Sequence, residues 1–322
     1  MSFSPKASAK RKISFVLPVY NEEGNIKALF EELLKVSASL LPKYDSEFIF
    51  VNDGSRDNSI HLLKGLSEKD GRVFVVDFSR NFGHQAATTA GLNHSSGDAA
   101  IIMDTDLQDP PEVALLLVKK WEDGFDVVYA KRRSRKDSVF KRFTAFAFYR
   151  ILNALSEVPI PTDTGDFRLM DRKVLNALSE IKETNRFLRG LTSYAGFNQT
   201  GVLFDRNERK SGETKYPLKK MVKFSIDAIT SFSVVPLRLV SWLGAVVAGL
   251  SILGIFYALF MKFFFPEITV SGWTLLIISV FFIGGVQILS IGIIGSYVGR
   301  IFSEVKKRPL YIISKIYRKN LS

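Results

Sequence analysis

The chain has 322 residues, a formal net charge of +12 and no cysteine, and 47% of its residues are hydrophobic. The lack of cysteine excludes disulfide bonds and thiolate metal sites, and the length accommodates one α/β domain of roughly 200 residues plus a smaller module. The basic residues cluster at 131–142, 206–223 and 306–319. Because the last two clusters flank long apolar runs, contact with anionic lipid is favoured over binding of nucleic acid.

Short β-rich runs alternate with helical patterns over the first part of the chain. The runs with strand character are 13–20, 47–53, 72–79, 99–106 and 126–132, and helical spacing occurs at 25–40, 57–68, 83–95 and 111–122. This alternation predicts a mostly parallel sheet covered by helices on both faces. In open α/β sheets ligands bind beyond the carboxyl ends of the strands. The residues that follow each predicted strand are therefore the candidates for a site.

Polar residues end the first two predicted strands. Tyr20 and Asn21 follow the first strand and are suited to stacking and hydrogen bonding. Asp53 follows the second, where Gly54 permits a tight turn. An acidic residue at this point can accept hydrogen bonds from the base or ribose of a nucleotide. The alternative is a cap for the next helix, a role that Ser55 or Asp57 could also fill.

Asp104 and Asp106 follow the most apolar predicted strand and form the central motif. Two carboxylates so close repel each other unless a cation or a proton lies between them. Oxygen ligands of this kind suit Mg²⁺ or Mn²⁺, which also bind the phosphates of substrates. An Asp-x-Asp pair is common in surface turns, so its position at the end of a buried strand is what favours a metal site.

Beyond residue 132 the pattern changes to longer helices, predicted at 138–155 and 171–191, around an irregular segment at 159–167. Residues 217–232 have apolar side chains on one side and lysines on another, which predicts an amphipathic helix in the membrane interface, or one packed on the globular domain. A second interfacial helix, broken near Pro309, is predicted beyond residue 299.

Two apolar runs, 237–261 and 273–298, predict a membrane module. Each run is about 25 residues long, and a helix needs about 20 residues to cross the hydrocarbon core of a bilayer. Two buried helices of a soluble protein are the alternative, against which the length and the all-round apolarity argue. The link between the runs carries one Lys and one Glu, whereas both outer flanks are rich in Lys and Arg. The positive-inside rule therefore places the globular domain and both termini in the cytoplasm.

The predicted organisation is a globular domain at 1–215, an interfacial helix at 216–234, a two-helix membrane hairpin at 235–298 and a basic interfacial segment at 299–322. The residues before Ile13 lack an apolar core, so no signal peptide is expected. Small residues on the second run permit close helix contacts, so self-association is expected: Gly284, Gly285, Gly292, Gly295 and Gly299.

Several segments resemble one known family when they are taken in order. They are PVYNEE (18–23), VNDGSRDNS (51–59), FSRNFGHQAA (78–87), MDTDLQDPPE (103–112), TGDFRLMDRKV (164–174), RKSGETK (209–215) and VGRIFSEVKKRPLY (298–311). The set resembles the family 2 glycosyltransferases of the Rossmann-like GT-A fold. It is most similar to the polyprenyl-phosphate branch, which includes bactoprenol glucosyltransferases and dolichyl-phosphate mannose synthases.

The resemblance implies a role for each matching residue. The nucleotide-sugar pocket would be lined by Pro18, Tyr20, Asn21, Glu23, Asp53 and Arg132. The divalent ion, Mg²⁺ or Mn²⁺, would be held against the diphosphate by Asp104, Asp106 and Gln108. The phosphates would be covered by Arg209 and Lys215. Asp166 would lie beside the acceptor, where the proposed base of the family is found.

The implied reaction is transfer of a hexose, with glucose favoured, from a UDP-sugar to polyprenyl phosphate, with inversion, on the cytoplasmic leaflet of the cell membrane. The product would be a lipid-linked sugar for modification of cell-envelope glycans. Because a phosphate monoester has a second pKa of about 6, the acceptor is largely dianionic at neutral pH and hardly needs a base. Asp166 is therefore either a base or a positioning group.

Three other functions are alternatives to this one. A dolichyl-phosphate mannose synthase-like enzyme would use GDP-mannose instead. A processive polysaccharide synthase typically has a Gln-x-x-Arg-Trp motif, and none of the three tryptophans, Trp121, Trp242 and Trp273, lies in such a pattern. A non-catalytic membrane scaffold is disfavoured because the acidic residues of the motifs are intact.

Overall fold

Strands and helices alternate along the globular part, as predicted. The computed structural model describes residues 10–133, 164–184, 186–205, 235–264 and 273–319. The strands are β1 (Arg11–Val19), β2 (Tyr44–Asn52), β3 (Val73–Phe78), β4 (Ala99–Ile102), β5 (Val127–Arg132), β6 (Thr164–Asp171), β7 (Gln199–Phe204) and β8 (Ile313–Arg318). The helices are α1 (Ile26–Leu40), α2 (Ser59–Lys69), α3 (His84–His94), α4 (Val113–Glu122), α5 (Arg172–Glu180), α6 (Leu188–Tyr194), α7 (Val235–Phe264) and α8 (Trp273–Val305).

The strands form one eight-stranded sheet in the order β7-β5-β6-β4-β1-β2-β3-β8. β1 pairs in parallel with β2 and β4, and β2 pairs in parallel with β3. β5 and β7 are also parallel, whereas β6 lies antiparallel between β4 and β5. The prediction of a mostly parallel α/β sheet is confirmed.

Helices cover both faces of this sheet. α1 and α4 pack on one face, where Leu29, Leu33 and Leu117 are buried. α3, α5 and α6 pack on the other, with Ala87, Val174 and Leu188 in the core. Residues 13–19 of β1 are all buried because helices cover them from both sides. A strand in this position needs apolar side chains on both faces, which explains its nearly continuous apolar sequence.

The region after residue 163 differs from the prediction. Residues 164–167, predicted to be irregular, begin β6, and β7 was not predicted. The single helix predicted at 171–191 is wrong: α5 ends at Glu180 and α6 begins at Leu188. The segment between them contains Lys182, Glu183 and Thr184, which interrupt the apolar spacing. The helices predicted at 138–155 and 217–232 lie outside the described residues.

The C-terminal segment joins the globular sheet. The interfacial helix predicted beyond residue 299 is wrong for residues 313–318, which form β8 antiparallel to β3. Tyr311 stacks on Phe78 with ring centroids 5.0 Å apart, and the Ser79 N–H donates to the Ile312 carbonyl at 3.0 Å. β3 would otherwise be an open sheet edge with unpaired backbone groups, and β8 satisfies them.

Both predicted membrane runs are helical, within α7 and α8. Among the described residues, one helical stretch, Phe282–Val305, is long and apolar enough to cross a membrane, and none of it is buried inside the protein. The two-span topology and its orientation remain predictions.

Candidate active site

The ends of three parallel strands bring the predicted motifs to one edge of the sheet. The Asp53 N–H donates to the Val19 carbonyl at 2.9 Å, and the Met103 N–H donates to the Val16 carbonyl at 3.1 Å. Because β1, β2 and β4 run in the same direction, the loops after them lie side by side. Pro18, Asp53 and Asp104 therefore lie at the same edge of the sheet, as the strand-end rule predicts.

Thr105 determines how the two aspartates of the central motif are presented. Its hydroxyl donates to the Pro18 carbonyl at 3.1 Å, and the residue is 4% exposed. The middle residue of the motif therefore turns into the protein, so Asp104 and Asp106 on either side of it are only partly buried. Asp106 Oδ1 accepts the Gln108 N–H at 3.1 Å, which closes a tight turn over Leu107, whose φ is 57°.

These side chains fit a divalent cation by their chemistry. Burial raises the pKa of Asp104, and the nearby Asp166 and Asp106 carboxylates raise it further, against the opposing effect of His84. A cation would relieve that repulsion. Among the residues that the structure describes, no group of three or more His, Cys, Asp or Glu is placed to hold a metal. Mg²⁺ needs fewer, because one or two carboxylates with substrate phosphates and water complete its coordination.

Asn21 and Glu23 join the loops that follow β1 and β2. Asn21 Oδ1 accepts the Arg56 N–H at 2.8 Å, and Glu23 Oε2 accepts the Asn58 N–H at 2.8 Å. Asn21 has a φ of 54°, a left-handed conformation that Asn tolerates better than most residues. Tyr20 is 39% exposed beside them. Tyr20 is thus accessible at this edge, whereas the side chains of Asn21 and Glu23 hold the two loops together.

Asp53 is 3% exposed and holds the loop between β3 and α3. Its carboxylate accepts the Phe82 N–H at 2.6 Å, the Gly83 N–H at 3.0 Å and the Asn81 side-chain amide at 2.9 Å. Burial raises the pKa of Asp53, although the two backbone donors act in the opposite direction. It therefore fastens the entry to α3 and does not cap α2. A direct contact with a nucleotide remains a prediction.

Three side chains that the sequence predictions did not include surround Asp166. His84 Nε2 lies 3.3 Å from Asp166 Oδ2 and 3.6 Å from Asp104 Oδ1. Arg189 Nε donates to Asp166 Oδ1 at 2.7 Å, and the Gln85 side-chain amide donates to Oδ2 at 3.3 Å. Both carboxylate oxygens are therefore engaged. A row of alternating negative and positive charge results, which we call the charged cluster: Asp104, His84, Asp166 and Arg189.

The electrostatics of the charged cluster follow from this arrangement. Burial alone would raise the pKa of Asp166, but Arg189 and His84 outweigh it and hold that pKa well below its ordinary value. For His84, burial opposes the charged form, yet the bond to Asp166 and the charge of Asp104 raise its pKa to about 9. Asp166 is thus a stable carboxylate at neutral pH and His84 a cation.

Of the remaining predicted site residues, the structure describes Arg132 only. Arg132 ends β5, and its Nη2 lies 3.6 Å from the position that a Cβ on Gly165 would take, one residue from Asp166. It therefore adds a positive charge near the charged cluster. Arg209 and Lys215 lie outside the described residues.

His84 and Gln85 follow the third strand, in the quoted segment 78–87, so the strand-end rule could have found them, whereas no local signal marks Arg189.

A family model described as "Glycosyl transferase family 2" matches residues 14–179. The chain is 49% identical to an uncharacterized glycosyltransferase of Bacillus subtilis, YkcC, over 94% of each chain. It is 41% identical to the SfII prophage-derived bactoprenol glucosyl transferase of Shigella flexneri, over 96% of this chain and 99% of that one. It is 40% identical to a prophage bactoprenol glucosyl transferase homolog of Escherichia coli, over 95% and 99%.

Proposed function

This chain belongs to glycosyl transferase family 2, and from that premise we propose that it moves a hexose, with glucose favoured, from a UDP-sugar to polyprenyl phosphate. The observation that carries the proposal is the charge pattern at the strand ends. The carboxylates Asp104 and Asp106 suit a cation that binds a nucleotide diphosphate. Asp104 lies 3.6 Å from His84, and Arg189 pairs with the neighbouring Asp166 at 2.7 Å. The cations His84 and Arg189 suit an anionic acceptor. The likeness to relatives named bactoprenol glucosyl transferase, over nearly the whole chain, supports the choice of acceptor.

The donor is assigned to the loops after β1, β2 and β4. Tyr20 is open for stacking on the base, and Pro18, Asn21, Glu23 and Asp53 form the walls of the nucleotide pocket or hold its loops in place. A divalent cation held by Asp104, Asp106 and Gln108 would neutralise the diphosphate as it leaves the sugar. The partial burial of the two carboxylates strengthens that attraction, because it lowers the local dielectric.

The acceptor is assigned to the side of the charged cluster. A lipid phosphate is already largely a dianion at neutral pH, so its oxygen can attack the anomeric carbon without losing a proton. A carboxylate as acidic as Asp166 is a poor general base, because efficient bases have a pKa near the working pH. We therefore assign to Asp166 the positioning of His84 and Arg189, and we place the incoming phosphate against these cations. Arg132, Arg209 and Lys215 are assigned to the phosphates as well.

The lipid acceptor agrees with the apolar C-terminal helices. The polyprenyl chain remains in the bilayer, so its phosphate reaches only the headgroup level. A domain held there by α7 and α8 would meet that phosphate from the cytoplasmic side, in the two-span topology predicted above. The basic clusters beside the helices favour the anionic leaflet. We extend the proposal to self-association of the second helix through its glycines.

The test is a transfer assay with the purified full chain. It is incubated with Mn²⁺, undecaprenyl or dolichyl phosphate and one of four labelled donors: UDP-glucose, UDP-galactose, UDP-N-acetylglucosamine or GDP-mannose. Label that partitions into organic solvent with a UDP-sugar supports the proposal, and label from GDP-mannose supports the mannose synthase alternative. Asp104→Ala is the control that removes a metal ligand. Absence of lipid-bound label with every donor would contradict transferase activity on this acceptor.

A further inference from the structure

The last turn of α8 is hydrogen-bonded to the globular domain. The Glu304 carboxylate accepts the Thr184 N–H at 2.9 and 3.0 Å from its two oxygens, and it accepts the Thr184 hydroxyl at 3.1 Å. Glu304 lies beyond the apolar run that ends at residue 298, so this contact joins the end of the apolar helix to the domain. None of the roles assigned above involves it.

Thr184 lies in the connection between α5 and α6, a short distance before the charged cluster. The first turn of α6 begins at Leu188, whose N–H donates to the Gln85 side-chain oxygen at 3.1 Å. The next residue, Arg189, donates to Asp166. Three residues separate Thr184 from Leu188, so little chain is available to absorb a shift at Thr184 before α6 starts.

Other contacts hold the neighbouring elements without Glu304. β8 pairs with β3, and Tyr311 stacks on Phe78, so the chain after α8 stays docked if Glu304 is changed. The far end of α6 is held by Arg168, which donates to the Thr192 hydroxyl at 2.6 Å. Glu304 contacts the connection itself, at Thr184, and this connection leads into the first turn of α6, which carries Arg189.

We propose that Glu304 is a positioning residue for the transfer reaction: through Thr184 it sets the first turn of α6, and so the placement of Arg189 against Asp166. The inference rests on the proposed function. It connects the helix that would lie in the bilayer with the cations that would receive the lipid phosphate. The end of α8 and the acceptor side of the site then move as one unit relative to the headgroups.

The experiment compares Glu304→Ala and Glu304→Gln with Glu68→Ala, a matched loss of a carboxylate at an exposed position of α2. We expect Glu304→Ala to lower kcat with polyprenyl phosphate about tenfold, because misplacement by a fraction of an ångström is costly. The KM for the donor should stay within about twofold, since the donor loops are separate. Glu304→Gln should recover most of the rate, because its amide oxygen still accepts from Thr184. Glu68→Ala should match the wild type.

Amide hydrogen exchange supplies a readout independent of activity. Peptides covering residues 182–191 should exchange faster in Glu304→Ala, and peptides from β3 and β8 should not change. Unchanged exchange at 182–191 would overturn the inference, and so would a lower melting temperature with kcat unaltered, which indicates a purely structural contact. If the wild type transfers no sugar to polyprenyl phosphate, the proposed function fails and the catalytic part of this inference fails with it. The exchange result then still decides whether Glu304 orders residues 182–191, so the two failures are distinguishable.

Discussion

The substitution Asp166→Asn separates a positioning carboxylate from a general base. In the wild type, Asp166 Oδ1 accepts a hydrogen bond from Arg189, and Asp166 Oδ2 faces His84 and Gln85. An asparagine has one acceptor oxygen, so its NH₂ group must face a donor on one of these two sides. At least one charge-assisted hydrogen bond is lost, and the neighbouring cation shifts. The side chains of Asp166 and Arg189 are 11% and 21% exposed, so water replaces this bond poorly.

The expected magnitude follows from that lost bond. A hydrogen bond to a charged group contributes about 1.5–3 kcal/mol. If all of this free energy is lost from binding of the acceptor in the transition state, kcat/KM for polyprenyl phosphate falls about 10- to 150-fold. Loss of a general base typically costs a factor of about 10² to 10⁴ and acts on kcat. The two ranges overlap, so the rate alone does not distinguish the roles.

The assay that distinguishes them is the pH dependence of kcat/KM. The reactive acceptor is the dianion, whose fraction rises as the pH rises through about 6. If Asp166 positions cations, the wild type and Asp166→Asn lose activity together below that pH, and the KM for the acceptor rises in the variant. Combining Asp166→Asn with Arg189→Ala should then cost less than the sum of the two. A variant with unchanged acceptor KM, a kcat lowered by 10³ or more and no acidic limb would refute the reasoning.

Two further predictions concern the donor side of the site. Asp104→Asn should weaken metal activation, because it removes one of the two charges that attract the cation. We expect transfer to require several-fold more Mn²⁺ in a titration. An unaltered Mn²⁺ dependence would contradict the metal assignment. Gly54→Ala should lower the free energy of unfolding in urea by more than about 1 kcal/mol. Gly54 has a φ of 64°, and a Cβ there would lie 2.5 Å from the Arg80 carbonyl carbon. Gly65→Ala in α2, where a Cβ meets nothing within 4 Å, is the control and should stabilise by about 0.5–1 kcal/mol.

The first half of the fold could be predicted because its signals are local. The buried runs of β1 and β4 have the apolar sequence of strands, and the strand-end rule identifies Asp53 and Asp104 from the sequence alone. The same rule indicated the residues that follow β3 and lead to His84, the first residue of α3. It did not indicate that Asp53 would hold that loop by its backbone, because the hydrogen bonds join residues about thirty positions apart.

Other elements depended on partners that lie far away in the sequence. β6 is recognisable only once β4 and β5 flank it, and β8 forms because β3 offers a free edge to residues more than two hundred positions later. The break between α5 and α6, which determines where Arg189 lies, also has weak local signals. Periodicity over a short window carries no information about such pairings.

The amino-acid sequence by itself determined the alternation of strands and helices, the apolar C-terminal runs and the carboxylate pair after β4, since each depends on neighbours along the chain. Tertiary structure alone decided that His84 and Arg189 meet at Asp166 and that Glu304 reaches Thr184. Those contacts exist because packing of β6, α6 and β8 brings polar groups that are distant in the sequence within hydrogen-bonding distance, and the energies of these contacts depend on that distance and on burial.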